Sequence, residues 1–283
     1  MTLAPAKWIW LPAQRTLPNS FVLFRKEVQL AAPPARADGW IAADSRYKLT
    51  VNGQRVQWGT APCDPRNLDA DPVDLKPYLK AGRNVIGVEV LFYGHGDGTW
   101  PGGKPGLIFN LEIEAAGAKQ QVVTDKNWQA LLDRAHRPGQ FKRWFLRSLQ
   151  EEFDARLYSW GWDSPAFVPD SRWVQVAEIA CPPDKPPACR TDRHWSADTV
   201  DRTALDVSVL MRQIPATHET IVASKGLAHS GRVHWKRDAA EWFEVRMTNS
   251  FEVDTNPVAV ARGEGAWELP ATPKPDQGVE ATF

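Results

Sequence analysis

The chain has 283 residues, with 34 Lys and Arg against 34 Asp and Glu and a formal net charge of +0. That balance argues against a nucleic-acid or anionic-membrane partner, and no run of 18 apolar residues exists to span a bilayer. The length allows one large domain or two ordinary ones. Fourteen Trp exceed what a core of this size needs, which points either to sugar stacking or to the stapling of a large β-sandwich. Twenty-three Pro and few amphipathic repeats favour an all-β chain with many connections.

The opening MTLAPAKWIW lacks the charged-then-apolar pattern of a secretory signal, so a cytoplasmic location is expected, with a periplasmic one open for an incomplete N-terminus. Lys7–Trp10 reads as a short aromatic strand. In Phe21–Leu30 the residues Val22, Phe24 and Val28 share one parity, broken by Lys26, while Phe21 and Leu23 open the other; this is a strand whose ends differ in burial. Gly39–Ala43 and Tyr47–Val51 follow as strands. Asn52-Gly53, before Gln54–Gln57, predicts a type I′ hairpin turn.

Asp64 to Asp71 is polar, turn-rich and expected to be irregular. Asp74–Lys80 predicts one helical turn or two, with Asp74 as N-cap and Gly82 just past the end.

Asn84–Glu114 is the stretch around which the rest is organised, and it reads as strand, glycine-rich loop, strand. Val85–Phe92 and Leu107–Ile113 are near-continuous apolar runs that suit burial on one or both faces, and the second is expected to be the partner of the first. Between them, six glycines from Gly94 to Gly106 alternate with His95, Asp97, Thr99 and Trp100. Two readings stand for this loop. It is a tight structural corner over a sheet rim, or a sugar site in which Trp100 stacks while His95 and Asp97 take hydroxyls.

Gln120–Thr124 is a further strand, and Thr124-Asp125 reads as a capped turn before Trp128. Phe141, Phe145, Leu149 and Phe153 recur at helical spacing, but acidic residues at the end and four aromatics oppose a helix. Pro165–Asp201 is the best linker candidate. Ala204–Arg212, Glu219–Ala223, Val233–Lys236, Trp242–Met247, Val258–Ala261 and Val279–Phe283 read as short strands, the last ending as if cut.

The order of motifs resembles the N-terminal, non-catalytic region of bacterial α-L-rhamnosidases, which are glycoside hydrolases. The carriers are ADSRYKLTVNGQRV (43–56), VDLKPYLKAGRNVIGVEV (73–90), TDKNWQA (124–130) with QEEFDAR (150–156), and GWDSPAFVPDSRW (161–173). The resemblance covers roughly Ala6 to Val176 well and the rest loosely. It implies a galactose-binding-like jelly-roll sandwich over 1–176, after which the composition and strand-like runs add a proline-rich linker over 177–203 and the start of a second, apparently truncated β-rich domain over 204–283. It also implies an extended path through the Asp154-Ala-Arg156 motif. The family's inverting hydrolysis of terminal α-L-rhamnose uses carboxylates on a downstream (α/α)6 barrel, and nothing within 1–283 supplies so many helices. No catalytic residue is therefore assigned to this chain, and its expected partner is that barrel.

Chemistry inside the chain has thin support. Glu151, Glu152 and Asp154 are a carboxylate cluster, but with Arg143, Arg147 and Arg156 nearby the expectation is a structural ion-pair group centred on Glu152, Asp154 and Arg156. The GHGDG run lacks the following helix of a phosphate loop, and no G-x-S-x-G exists for an esterase. No metal or other cofactor is expected: His229 and His234 lack a third ligand, and Asp64, Asp69, Asp71 and Asp74 lack the spacing of an EF-hand, although a calcium ion there stays open. Cys63, Cys181 and Cys189 read as reduced thiols, with pairing of the last two open. Three functions compete: an accessory region that packs on and shapes the barrel, a carbohydrate-binding module for rhamnose-containing glycans, and a complete small enzyme. The missing nucleophile disfavours the third.

Overall fold

The computed structural model describes residues 2–13, 15–61, 63–94, 103–138, 152–187, 208–215, 220, 222, 226–235, 251–254, 260–263, 266–268 and 277–282. Two compact units divide the chain, Met1–Pro215 and Ala216–Phe283. The described residues are all-β.

The first unit is a sandwich of two sheets. Its strands are β1 (Ile9–Trp10), β2 (Ser20–Leu30), β3 (Arg36–Asp44), β4 (Arg46–Val51), β5 (Gln54–Gly59), β6 (Asp69–Asp74), β7 (Gly82–Phe92), β8 (Gly106–Ala115), β9 (Ala118–Val123), β10 (Gln129–Leu132), β11 (Val174–Gln175), β12 (Ala177–Glu178) and β13 (Leu210–Met211). One sheet runs β12-β1-β8-β3-β6-β13 with β9 also on β8; the other runs β11-β10-β2-β7-β4-β5.

Inward-facing side chains alternate along the strands of both sheets. Val22, Phe24, Val28, Ile86, Val88, Val90, Leu49 and Val51 from one sheet meet Ile41, Phe109, Leu111 and Ile113 from the other in one buried cluster. Each such side chain contributes about 1.5–3 kcal/mol by leaving water. Trp10 packs on Phe24 and Phe92, with ring centroids 5.5 and 6.2 Å away, and Trp128 packs on Phe109 at 5.9 Å.

Both sheets are also covered on the outside. Trp8, Leu68, Ala70 and Ile108 form a cluster behind the first sheet, and Leu23, Leu131, Trp162 and Trp173 form one behind the second. Burial on both faces is why the β7 and β8 sequences are continuous apolar runs rather than alternating ones.

The two runs are not partners of each other. β7 lies between β2 and β4 in one sheet, while β8 pairs with β3, β9 and β1 in the other. The glycine-rich segment therefore crosses from sheet to sheet, a step for which a tight hairpin is too short. Asp69–Asp71, expected to be irregular, belong to β6. Pairing to β3 overrides weak local propensity there, and Pro72, with no amide hydrogen, lies beyond the two residues that pair with β13.

Local signals read from sequence recur in the structure. Asn52 and Gly53 have φ of 53° and 79°, the pair of positive values that a type I′ turn requires. Asp74 accepts the Lys76 amide at 2.9 Å and opens a single turn closed by Leu79 N to Leu75 O at 3.2 Å. Trp128 N donates to Asp125 O at 3.2 Å, as a capped turn should.

The observed division falls after Pro215, whereas the sequence suggested breaks near 176 and 203. Two short strands account for the difference. β12 extends the sheet edge at β1 and β13 extends it at β6, and between them Cys181, Pro186 and Pro187 are buried on the sandwich, with Val209 N donating to Asp184 O at 2.9 Å. The second unit contains β14 (His229–Trp235), β15 (Phe251–Asp254), β16 (Val260–Gly263), β17 (Ala266–Glu268) and β18 (Gln277–Thr282). Its three-stranded sheet is ordered β15-β14-β18, and β16 pairs with β17. The C-terminal strand thus has a partner, β14. Trp242–Met247 lies outside the described residues.

Candidate functional site

His95, Asp97 and Trp100 lie outside the described residues, but the stem of their loop is well defined. Asp44, at the end of β3, is buried beneath it. Its carboxylate accepts the Lys104 amide at 2.9 Å and the Ser45 hydroxyl at 2.7 Å, and Ser45 Oγ in turn accepts the Tyr93 amide at 3.1 Å. Both ends of the crossing segment are thereby tied to one dipeptide. Burial pushes the Asp44 carboxyl up to about 7, against the opposing effect of its two donors. A Cβ at Gly103 would fall 1.8 Å from Asp44 Oδ2, so glycine is required there by close approach. Beside the stem an open cleft of about 780 Å³ is lined by Trp10, Phe92, Gly94, Gly103, Lys104 and Pro105, among others.

The second feature is the segment from Glu152 to Trp173, which closes over the outer face of the second sheet. Phe153 bridges to His136, whose ring stacks on Phe21 at 3.8 Å, and Asp154 N donates to Ala135 O at 2.9 Å. Farther along, Arg25, buried on β2, donates from Nε to the carbonyl of Trp162 at 3.0 Å. Its Nη2 donates to the carbonyls of Ser164 and Phe167, both at 3.3 Å. Trp162 lies over Gly87, where a Cβ would come within 2.9 Å of its ring.

Of the residues Glu152, Asp154 and Arg156, the last two pair with each other. Asp154 accepts from Arg156 at 2.8 and 2.6 Å, and these two bonds hold its carboxyl down at about 2. Glu152 is paired instead with Arg137 at 3.2 Å. The Arg156 side chain is almost fully exposed, so the ion pair caps a turn. The segment is pinned to the sandwich by backbone bonds and stacked rings. Arg143 and Arg147 lie outside the described residues.

The acidic loop residues point to separate partners. Asp64 pairs with Arg66, and Asp71 accepts from the buried Tyr47 hydroxyl at 2.7 Å and from Arg212 Nη1 at 2.9 Å. Asp74 caps its turn. Among the described residues no three His, Cys, Asp or Glu side chains gather as metal ligands. Burial pushes the free Cys63 thiol up to about 11, which suits an inert side chain. Cys189 lies outside the described residues.

Sequence reasoning missed Asp44, Arg25 and Glu89, because a single charged residue in a strand carries no signal of what will cover it. The sandwich supports a glycine-bearing crossing loop and a locked closing segment, and its buried carboxylates Asp44 and Asp71 are each hydrogen-bonded to two donors.

The sequence profile of the Alpha-L-rhamnosidase N-terminal domain matches residues 32–193, more than half of the chain. The chain belongs to this family. Among solved structures, this rhamnosidase N-terminal domain is similar to a GH78 family rhamnosidase of Bacillus sp. GL1, with 29% identity and a TM-score of 0.61 over 82% of this chain and 22% of that one. A native α-L-rhamnosidase from Aspergillus terreus shares 24% identity and a TM-score of 0.52 over 64% of this chain and 22% of that one. An α-L-rhamnosidase from Dictyoglumus thermophilum shares 16% identity and a TM-score of 0.54 over 98% and 35%. The last two likenesses bear on the fold alone. The domain thus spans less than a quarter of the length of the first two structures. No curated protein matches the chain.

Proposed function

We propose that this chain is the accessory N-terminal region of an α-L-rhamnosidase-like glycoside hydrolase, and that it packs on and shapes a catalytic (α/α)6 barrel outside it. The observation that carries the reading is the family match over residues 32–193, on a sandwich of two β-sheets. Inverting hydrolysis needs two carboxyl groups about 6.5–9.5 Å apart across a sugar. Here Asp44 is bonded to the loop stem, Asp71 to Tyr47 and Arg212, and Asp154 to Arg156. The partners proposed with this reading are the downstream barrel and rhamnose-containing glycans that the whole enzyme would meet.

The test is turnover of an aryl α-L-rhamnoside by the purified 283-residue chain. No release of the aryl group above the buffer rate is expected. Release that disappears on changing one carboxylate within the chain would overturn the reading and make the chain an enzyme in its own right.

A further inference from the structure

A strip of side chains runs across the outer face of the second sheet onto the closing segment and is exposed at its two ends. Trp58 on β5 stands opposite Lys48 on β4, and Lys48 stands opposite Glu89 on β7, so the three lie in one row across neighbouring strands. Lys48 Nζ forms an ion pair with Glu89 Oε2 and lies 6.0 Å from the centre of the Trp58 ring. Arg55 approaches the same ring at 5.4 Å. On the other side, the Tyr158 hydroxyl donates to Glu89 Oε2 at 3.3 Å, and the Tyr158 ring is 4.9 Å from that of Trp160. The two indoles at the ends are 49% and 65% exposed, while the Glu89 side chain between them is only 9% exposed.

We propose that this strip, from Trp58 through Lys48, Glu89 and Tyr158 to Trp160, is a binding face for a neutral oligosaccharide. A pyranose offers an apolar C–H face and a rim of hydroxyls. The strip offers a partly exposed indole at each end, with an ammonium, a carboxylate and a phenol between them. Lys48 and Glu89 neutralise each other, so the ligand need carry no charge. The same pair argues against a protein partner, since the centres of protein interfaces are depleted in Lys and Glu.

The side chains are held before any ligand arrives. Trp160 Nε1 donates to Ala155 O at 2.8 Å, Trp162 Nε1 donates to the Tyr158 hydroxyl at 3.0 Å, and the row itself stands on paired strands. Little ordering is left to oppose binding. The proposal goes beyond the accessory role and uses none of the loop residues His95, Asp97 and Trp100.

The test is affinity electrophoresis of the 283-residue chain in gels containing one of three neutral polymers, galactomannan, xyloglucan or mixed-linkage β-glucan. Titration with oligosaccharides cut from whichever polymer retards it would follow. Retardation is expected in at least one gel, with a dissociation constant roughly between high micromolar and millimolar. Trp58→Ala and Trp160→Ala should each weaken binding by about tenfold or more, as removal of one stacking ring does. Because both indoles are exposed, the melting temperature of each variant should match that of the parent chain. Failure of all three polymers to retard the chain would overturn the proposal. So would retardation that survives both substitutions, or that only Trp100→Ala removes. Self-association abolished by Trp58→Ala, without retardation by any polymer, would mark the strip as a protein interface and overturn it as well.

Discussion

Replacing Arg25 by Met should release the closing segment from the sandwich. The Arg25 side chain is 1% exposed, and its guanidinium holds three carbonyls, those of Trp162, Ser164 and Phe167, at 3.0, 3.3 and 3.3 Å. Met keeps most of the volume but offers no donor. The carbonyl bonded at 3.0 Å should lose about 1.5 kcal/mol and the two longer ones about 1 kcal/mol or less each, giving a total near 3 kcal/mol. The ion pair to Glu27 adds little to this sum. Glu27 is 43% exposed and so is screened. Its carboxyl is held at about 2 by Arg83 before Arg25, and Arg83 remains in the variant. Glu27→Gln should therefore cost less than about 1 kcal/mol. Urea unfolding followed by tryptophan fluorescence measures both losses, and brief proteolysis maps where the chain opens first. In Arg25→Met, early cleavage should fall within 158–173. If Arg25→Met loses less than Glu27→Gln, the carbonyl anchors do not hold the segment and the reasoning fails.

Gly87→Ala should lower stability by about 1–3 kcal/mol through overpacking. The new Cβ would lie 2.6, 2.8 and 2.9 Å from Thr50 Oγ1, Asp163 Cβ and the Trp162 ring, and a melting temperature equal to that of the parent chain would show that these neighbours yield freely. Asp44 gives a pH signature. Its folded value of about 7 lies above the ordinary 3.8, so the folded state holds the proton more tightly and stability falls as pH rises through that interval. The whole effect is up to about 4 kcal/mol. Asp44→Asn keeps an acceptor for the Lys104 amide and loses the titration. The variant should gain on the parent chain at pH 8 and converge with it near pH 4, and parallel stability curves over that range would contradict the assignment.

Much of the fold was legible in the sequence because its causes are local. Asn52-Gly53 specifies a type I′ turn, since few other pairs accept two positive φ values. Asp74 caps whatever turn follows it, and the apolar runs at 85–92 and 107–113 are strands wherever they pair. The motif order from Ala43 to Trp173 identified the family for the same reason: each motif is a local solution to a turn, a cap or a buried ring. The sequence did not carry the pairing itself. β7 and β8 are neighbours in sequence and read as one hairpin, yet they lie in different sheets.

The site followed the same divide. An indole in sequence is equally a staple or a platform. Trp162, buried at 2%, became the first and Trp160, 65% exposed, the second, two residues apart. Arg25, Asp44 and Glu89 look alike as isolated charges in strands. They acquired their roles from carbonyls, an amide and a lysine contributed by other parts of the chain. Local chemistry fixes which conformations a short stretch accepts. Which face is covered, and by what, depends on contacts between residues up to 171 positions apart, such as Trp8 and Ile179, and those exist only once the sandwich has closed.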